Sequence, residues 1–166
     1  MNLKYAFISI LLFMFSSLEA QSLKVGSSMP SVNALDHNGS TINLKDQLST
    51  GLGLIFFYPK ADTPGCTQQA CSIRDAYSIL QLRGVQVFGI SSDTPKSQYS
   101  FREKYSLPYS LISDRKAEIA KAFGKSRWSR QAYLFNDGLL IWKDTKGATA
   151  KQGEEAISAL KELNLF

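Results

Sequence analysis

The chain is poor in the residues that staple, ligate or span. Its 166 residues include only two cysteines and one histidine, too few for a disulfide scaffold or a zinc module. Basic residues outnumber acidic ones by 19 to 14, for a formal net charge of +5. They are scattered, however, with no run of five or six like charges, which reads as a solvated surface and not as a nucleic-acid footprint. The longest apolar run, Tyr5–Phe15, covers eleven residues, well short of the roughly 17–25 that a membrane-spanning helix needs. What is present is ordinary for a folded domain, 44% hydrophobic and 20% charged, which excludes disordered, collagen-like and low-complexity chains.

The apolar run has its own explanation. Lys4 precedes it, and Ser16-Ser17-Leu18-Glu19-Ala20 follows with a cleavable small residue at its end. That order of basic start, short greasy centre and small residue predicts a secretory signal peptide over residues 1–20. The mature chain, 21–166, is then an exported protein, periplasmic or secreted, with no stable membrane insertion. Export would put both cysteines where disulfides persist.

Beyond residue 23 the pattern alternates strand and helix. Val32–His37 and Ser40–Leu44 flank Asn38-Gly39, a two-residue hairpin signal. Leu52–Tyr58 and Val85–Ile90 are continuous apolar runs suited to strands covered on both faces. Ala70, Ile73, Tyr77 and Leu80 recur at helical spacing before Gly84, and Thr94-Pro95 opens a helix running through Tyr105. A short strand at Ser110–Ile112, a short helix carrying Ile119, Ala120 and Phe123, and a hairpin turned by Asp137-Gly138 follow. Ala156, Ile157, Leu160 and Leu163 close the chain as an amphipathic helix. The expectation is one α/β domain: a mixed central sheet flanked by helices on both faces, with an N-terminal β-hairpin. His37, beside a turn, reads as a surface residue.

In such sheets chemistry gathers where a central strand's carboxyl end runs into a helix. Here that place is Phe57-Tyr58-Pro59-Lys60-Ala61-Asp62-Thr63-Pro64-Gly65-Cys66. A free thiol has a pKa near 8.5, and only its thiolate attacks well. Cys66 falls in the first helical turn, where unpaired N–H groups and the helix dipole favour an anion. Thr63 can offer a hydroxyl to the sulfur or to an oxygen beside it, and Pro59 and Pro64 stiffen and shield the loop. Lys60 and Asp62 have no assigned chemistry. Cys71, five positions on, would lie about 8–9 Å from Cys66 between Cα atoms of an intact helix. A disulfide needs less than about 7 Å, so Cys71 is either a core residue or half of a bond that forms only when the helix unwinds.

Pro59-x-x-x-Thr63-x-x-Cys66 resembles the peroxiredoxin active-site signature, and the second cysteine at five residues is similar to the PrxQ, or bacterioferritin comigratory protein, subgroup. The resemblance runs from about Leu23 to Leu163. It implies a thioredoxin-like fold and a thiol peroxidase that reduces hydrogen peroxide and organic hydroperoxides to water and alcohols. By the same resemblance Cys66 is the peroxidatic cysteine, Thr63 a partner of the peroxide, Pro59 the shield and Cys71 the resolving cysteine. Arg130-Gln131-Ala132-Tyr133-Leu134-Phe135-Asn136-Asp137-Gly138 resembles the family's arginine-bearing strand. Arg130 is therefore the expected stabiliser of the thiolate, with Arg127 and Arg74 as competitors. Trp128 either lines the entrance or packs on the surface.

The implied cycle passes through a sulfenic acid and a Cys66–Cys71 disulfide, re-reduced by a thioredoxin-like protein. It needs no metal, flavin or haem, and the subgroup points to a monomer. The competing reading is a redox sensor or exchange module that signals through the cysteine pair, although the Cys-x-x-Cys spacing of general thiol oxidoreductases is missing.

Overall fold

The computed structural model describes residues 22–166, so the expected leader lies outside them. In chain order the elements are β1 (Asn33–Asp36), β2 (Thr41–Asn43), α1 (Leu44–Gln47), β3 (Leu52–Phe57), α2 (Pro64–Leu82), β4 (Gln86–Ser91), α3 (Pro95–Lys104), β5 (Ser110–Ser113), α4 (Glu118–Ala122), β6 (Gln131–Asn136), β7 (Leu139–Asp144) and α5 (Gln152–Glu162). They build one seven-stranded mixed sheet in the order β2-β1-β5-β4-β3-β6-β7. β3, β4 and β5 run parallel, joined by the crossover helices α2 and α3, and the outer pairs are antiparallel.

Strand alternation splits the core in two. Leu54 and Phe56 of β3 point to a cluster that holds Ala70, Ile73 and Leu80 of α2 and Ala156 and Leu160 of α5. Ile55 and Phe57 point the other way, to Ile90, Ile112, Phe123, Tyr133 and Phe135. Both faces of β3 are therefore buried, as its uninterrupted apolar run required. Beyond β7, Gly26 and Met29 donate backbone hydrogen bonds to Leu140 and Gly138, at 2.7 Å each. Those bonds occupy part of that sheet edge, which would otherwise be open to a stray strand.

Three local expectations are corrected. The first turn is not a two-residue hairpin with both positions left-handed, because only Gly39 has positive φ, at 82°. The Asp36 carboxylate instead accepts from the Asn38 and Ser40 amides at 2.9 and 2.8 Å, an Asx turn that widens the loop. The second strand ends at Asn43, whose side chain caps a single helical turn, α1, that the sequence pattern did not suggest. His37 is buried, 8% exposed. Its Nδ1 accepts from the Leu111 amide at 3.4 Å, and burial, followed by the nearby Arg102 charge, lowers its pKa. The Asp137-Gly138 turn does follow expectation, both residues being left-handed at φ 49° and 74°.

Candidate active site

β3 runs its carboxyl end through Tyr58 into the loop 59–63, and α2 begins at Pro64. Tyr58 is anchored below by its backbone N–H, which donates to Ile90 at 3.0 Å, and by a hydroxyl bond to Gln98. Burial pushes its phenol far above the ordinary range, so it stays a neutral donor. The loop is pinned at two more points. Asp93 Oδ2 accepts from the Ala61 amide at 2.7 Å. Asp62, at φ 59°, takes Lys104 Nζ at 2.8 and 2.7 Å and the Tyr105 hydroxyl at 2.7 Å. Those bonds, Lys104 first, hold the Asp62 carboxyl below its usual pKa. Asp62 thus tethers the loop to α3, a role the sequence reading did not give it.

Thr63 is the N-cap of α2 in extended conformation, and its carbonyl accepts the first helical bond, from the Thr67 amide at 2.8 Å. Pro64 has no N–H to offer, so the Gly65 and Cys66 amides are the donors left without helical acceptors. The first turn carries no acidic residue, and nothing there competes with an anion. The Thr63 hydroxyl donates to the Lys60 carbonyl at 3.0 Å, leaving its lone pairs to accept from a bound molecule. Pro59 is half-buried at the rim.

Cys66 is buried at 2% exposure, and Cys71 is half-buried one and a half turns further along the same intact helix. Both are free thiols. Antiparallel pairing of Phe57 with Gln131 sets the start of β6 beside the end of β3, and Arg130 immediately precedes that start. Its Nη2 lies 3.5 Å from Cys66 Sγ, and its Nη1 donates to Gln69 Oε1 at 2.7 Å. A Cβ on Gly65 would come within 3.2 Å of the same Nη2, so the guanidinium lies close over the glycine that precedes the thiol. This arrangement can hold a thiolate against a cation and present two amides plus a guanidinium to oxygens beside the sulfur.

Of the competing arginines, Arg74 pairs with Asp75 at 2.8 Å and donates to the Tyr105 carbonyl. Arg127 Nη2 donates to the Arg115 carbonyl at 3.3 Å. Trp128 is exposed, with Arg127 stacked 5.1 Å from its ring centre. Sequence reasoning missed Gln69, whose position three residues after Cys66 puts it one turn further along the helix. Among the described residues no cluster of His, Cys, Asp and Glu could hold a metal, and no helix is long and apolar enough to cross a membrane.

A family model described as AhpC/TSA matches residues 25–142. The chain is 41% identical over 107 residues to peroxiredoxin bcp1 of Schizosaccharomyces pombe, covering 64% of this chain and 54% of that protein. It is 39% identical over 112 residues to peroxiredoxin Bcp of Escherichia coli K12, covering 68% and 70%. Among solved structures, peroxidoxin BcpB of Mycobacterium tuberculosis superposes with a TM-score of 0.78 at 27% identity, over 85% of this chain and 98% of that one. A cysteine-to-serine mutant of PrxQ from Xylella fastidiosa superposes with a TM-score of 0.79 at 20% identity, over 87% and 99%, a likeness of fold.

Proposed function

The chain belongs to the AhpC/TSA family and, within it, to the Bcp/PrxQ peroxiredoxins, and from that premise we propose that it is a thiol peroxidase acting on hydrogen peroxide and organic hydroperoxides. The observation that carries the reading is the Arg130 guanidinium 3.5 Å from a buried Cys66 sulfur in the first turn of α2. Cys66 thiolate attacks the terminal peroxide oxygen. An S–O bond forms as the O–O bond breaks, the departing oxygen takes a proton to leave as water or alcohol, and a sulfenic acid remains. Arg130 and the Gly65 and Cys66 amides offset the negative charge spread over sulfur and oxygens as this happens. Thr63 accepts from the peroxide's O–H, and Pro59 keeps water from the sulfur.

Cys71 then attacks the sulfenic sulfur, forming the disulfide and expelling water. Because both cysteines sit on one helix, this step requires the start of α2 to unwind. A thioredoxin-like dithiol supplies the two electrons that restore both thiols. The protein works as a monomer, without a bound cofactor. Residues 1–20 support export, which N-terminal sequencing of the mature protein from its host would test.

The decisive assay follows peroxide consumption by reduced protein supplied with a thioredoxin-type reductant. Turnover that disappears in Cys66→Ser is expected. Sluggish consumption, equal in Cys66→Ser and wild type, would leave a redox sensor or exchange module as the better reading.

A further inference from the structure

Gln69 is the first link of a longer series. Its Nε2 donates to Gln152 Oε1 at 3.1 Å, and Gln152 Nε2 donates to Asp144 Oδ2 at 3.4 Å. Both amides are fully buried. Every donor in the series points the same way, from the guanidinium of Arg130 through two amides to the carboxylate at the end of β7. That polarity fixes which way round each amide sits. Turning Gln69 over would set its NH2 against the guanidinium and leave Gln152 facing a second carbonyl.

Asp144 also reaches Arg130 by another route. Its carboxylate accepts from the amides of Lys146 at 2.7 Å, Gly147 at 3.3 Å and Ala148 at 3.1 Å, curling the chain after β7. The curl brings Gly147, at φ 76°, so close to Arg130 that an added Cβ would lie 2.8 Å from its carbonyl oxygen and 2.9 Å from its Cβ. One carboxylate therefore holds the guanidinium through two amides and confines the stem of the same residue through a folded turn.

We propose that Asp144 and Gln152 are positioning residues for the peroxide step, keeping Arg130 Nη2 aimed at Cys66 Sγ. The inference rests on the proposed peroxidase role for what Arg130 acts upon. An arginine side chain has many rotamers, and a guanidinium that wanders spends less time against the thiolate. Loosening the series should therefore reduce the thiolate fraction and the peroxide rate together.

The test uses the full chain in a Cys71→Ser background, so that Cys66 alone reports. Gln152→Met keeps the length of the side chain and removes its hydrogen bonds. Iodoacetamide alkylation of Cys66 at pH 7 should slow by about threefold to tenfold, as for a cation–thiolate contact loosened but not lost. The limiting alkylation rate at alkaline pH should not change, and the rate with hydrogen peroxide should fall by a similar factor. Asp144→Asn, which keeps one acceptor oxygen of two, should move both rates in the same direction and serves if Gln152→Met does not fold. Leu160→Ala, which opens the core beneath α5 without touching the series, should lower the melting temperature and leave both rates alone. Unchanged rates in Gln152→Met and Asp144→Asn, or equal slowing in Leu160→Ala, would overturn the inference. Absence of peroxide turnover in the unmutated protein would sink the peroxidase reading instead, and the alkylation arm would still judge the positioning.

Discussion

Replacing Gly153 by alanine sets two effects of opposite sign against each other. Gly153 lies in the first turn of α5, and exchange of a helical glycine for alanine is ordinarily favourable by about 1 kcal/mol. Here α5 packs directly on α2, and a Cβ at this position would lie 2.4 Å from the Ser72 carbonyl oxygen and 2.7 Å from Ala76 Cβ. Ordinary contact is about 3.5–4.0 Å, so the two helices must part by roughly 1 Å. The obstacle is helix backbone and a methyl group with no rotamer to yield. Overpacking of this kind costs about 1–3 kcal/mol. Separation also stretches the Gly153 amide bond to Ser72 Oγ, now 2.9 Å, worth about 1 kcal/mol more. The net expectation is a loss of about 1–3 kcal/mol, or about 3–10 °C in Tm for a domain of this size. Thermal and urea unfolding under reducing conditions measure it, with Ser72→Ala isolating the hydrogen-bond share at about 1 kcal/mol. A Gly153→Ala protein as stable as wild type, or more so, would refute the close-approach argument.

Arg130→Lys keeps the charge but loses the planar fork that spans Cys66 and Gln69; kcat/KM for hydrogen peroxide should fall by about 10²-fold. Steady-state peroxide consumption reads that loss, and wild-type kinetics would remove Arg130 from the site. Cys71→Ser should let the Cys66 sulfenic acid accumulate under peroxide, detectable by mass as a dimedone adduct, and an adduct no more abundant than in wild type would count against the resolving role. Lys125, half-buried with its ammonium 4.1 Å from the Phe57 ring centre, is lowered by burial to a pKa of about 8. Between that value and the unfolded value of about 10.4 the unfolded chain holds the extra proton. Wild type should therefore gain about 1 kcal/mol on Lys125→Met as pH rises from 8 to 10. Parallel stability curves for the two proteins across that range would contradict this.

Much of the framework was legible because burial imposes simple periods. The apolar run Leu52–Tyr58 suited a central strand, which the structure places at Leu52–Phe57, and Thr94-Pro95 marked a helix start whose cap bond, Ser97 amide to Thr94 Oγ1, is present at 3.1 Å. Cys66 was singled out by the loop chemistry around it, with Thr63, Pro59 and Cys71 in the same segment, and Arg130 by a resemblance that spans nine residues. The amides and the carboxylate behind Arg130 were not legible. Gln69 and Gln152 stand 83 residues apart, and glutamine has no spacing rule that would pair them. Asp144 carried a faint local signal, a carboxylate just before Thr145-Lys146-Gly147, which reads as a turn and gives no hint of Arg130. His37 was misjudged because its neighbours in sequence form a turn, whereas its neighbours in space are Leu111 and Tyr99.

The connector between β7 and α5 has the outward marks of a segment that accepts grafted sequence: short, polar, glycine-bearing and bordered by two regular elements. Its three amides on one carboxylate say otherwise. Extra residues there would carry α5 out of phase with the sulfur it helps to serve, so an epitope tag or fluorescent insertion at this site would cost activity before it cost folding.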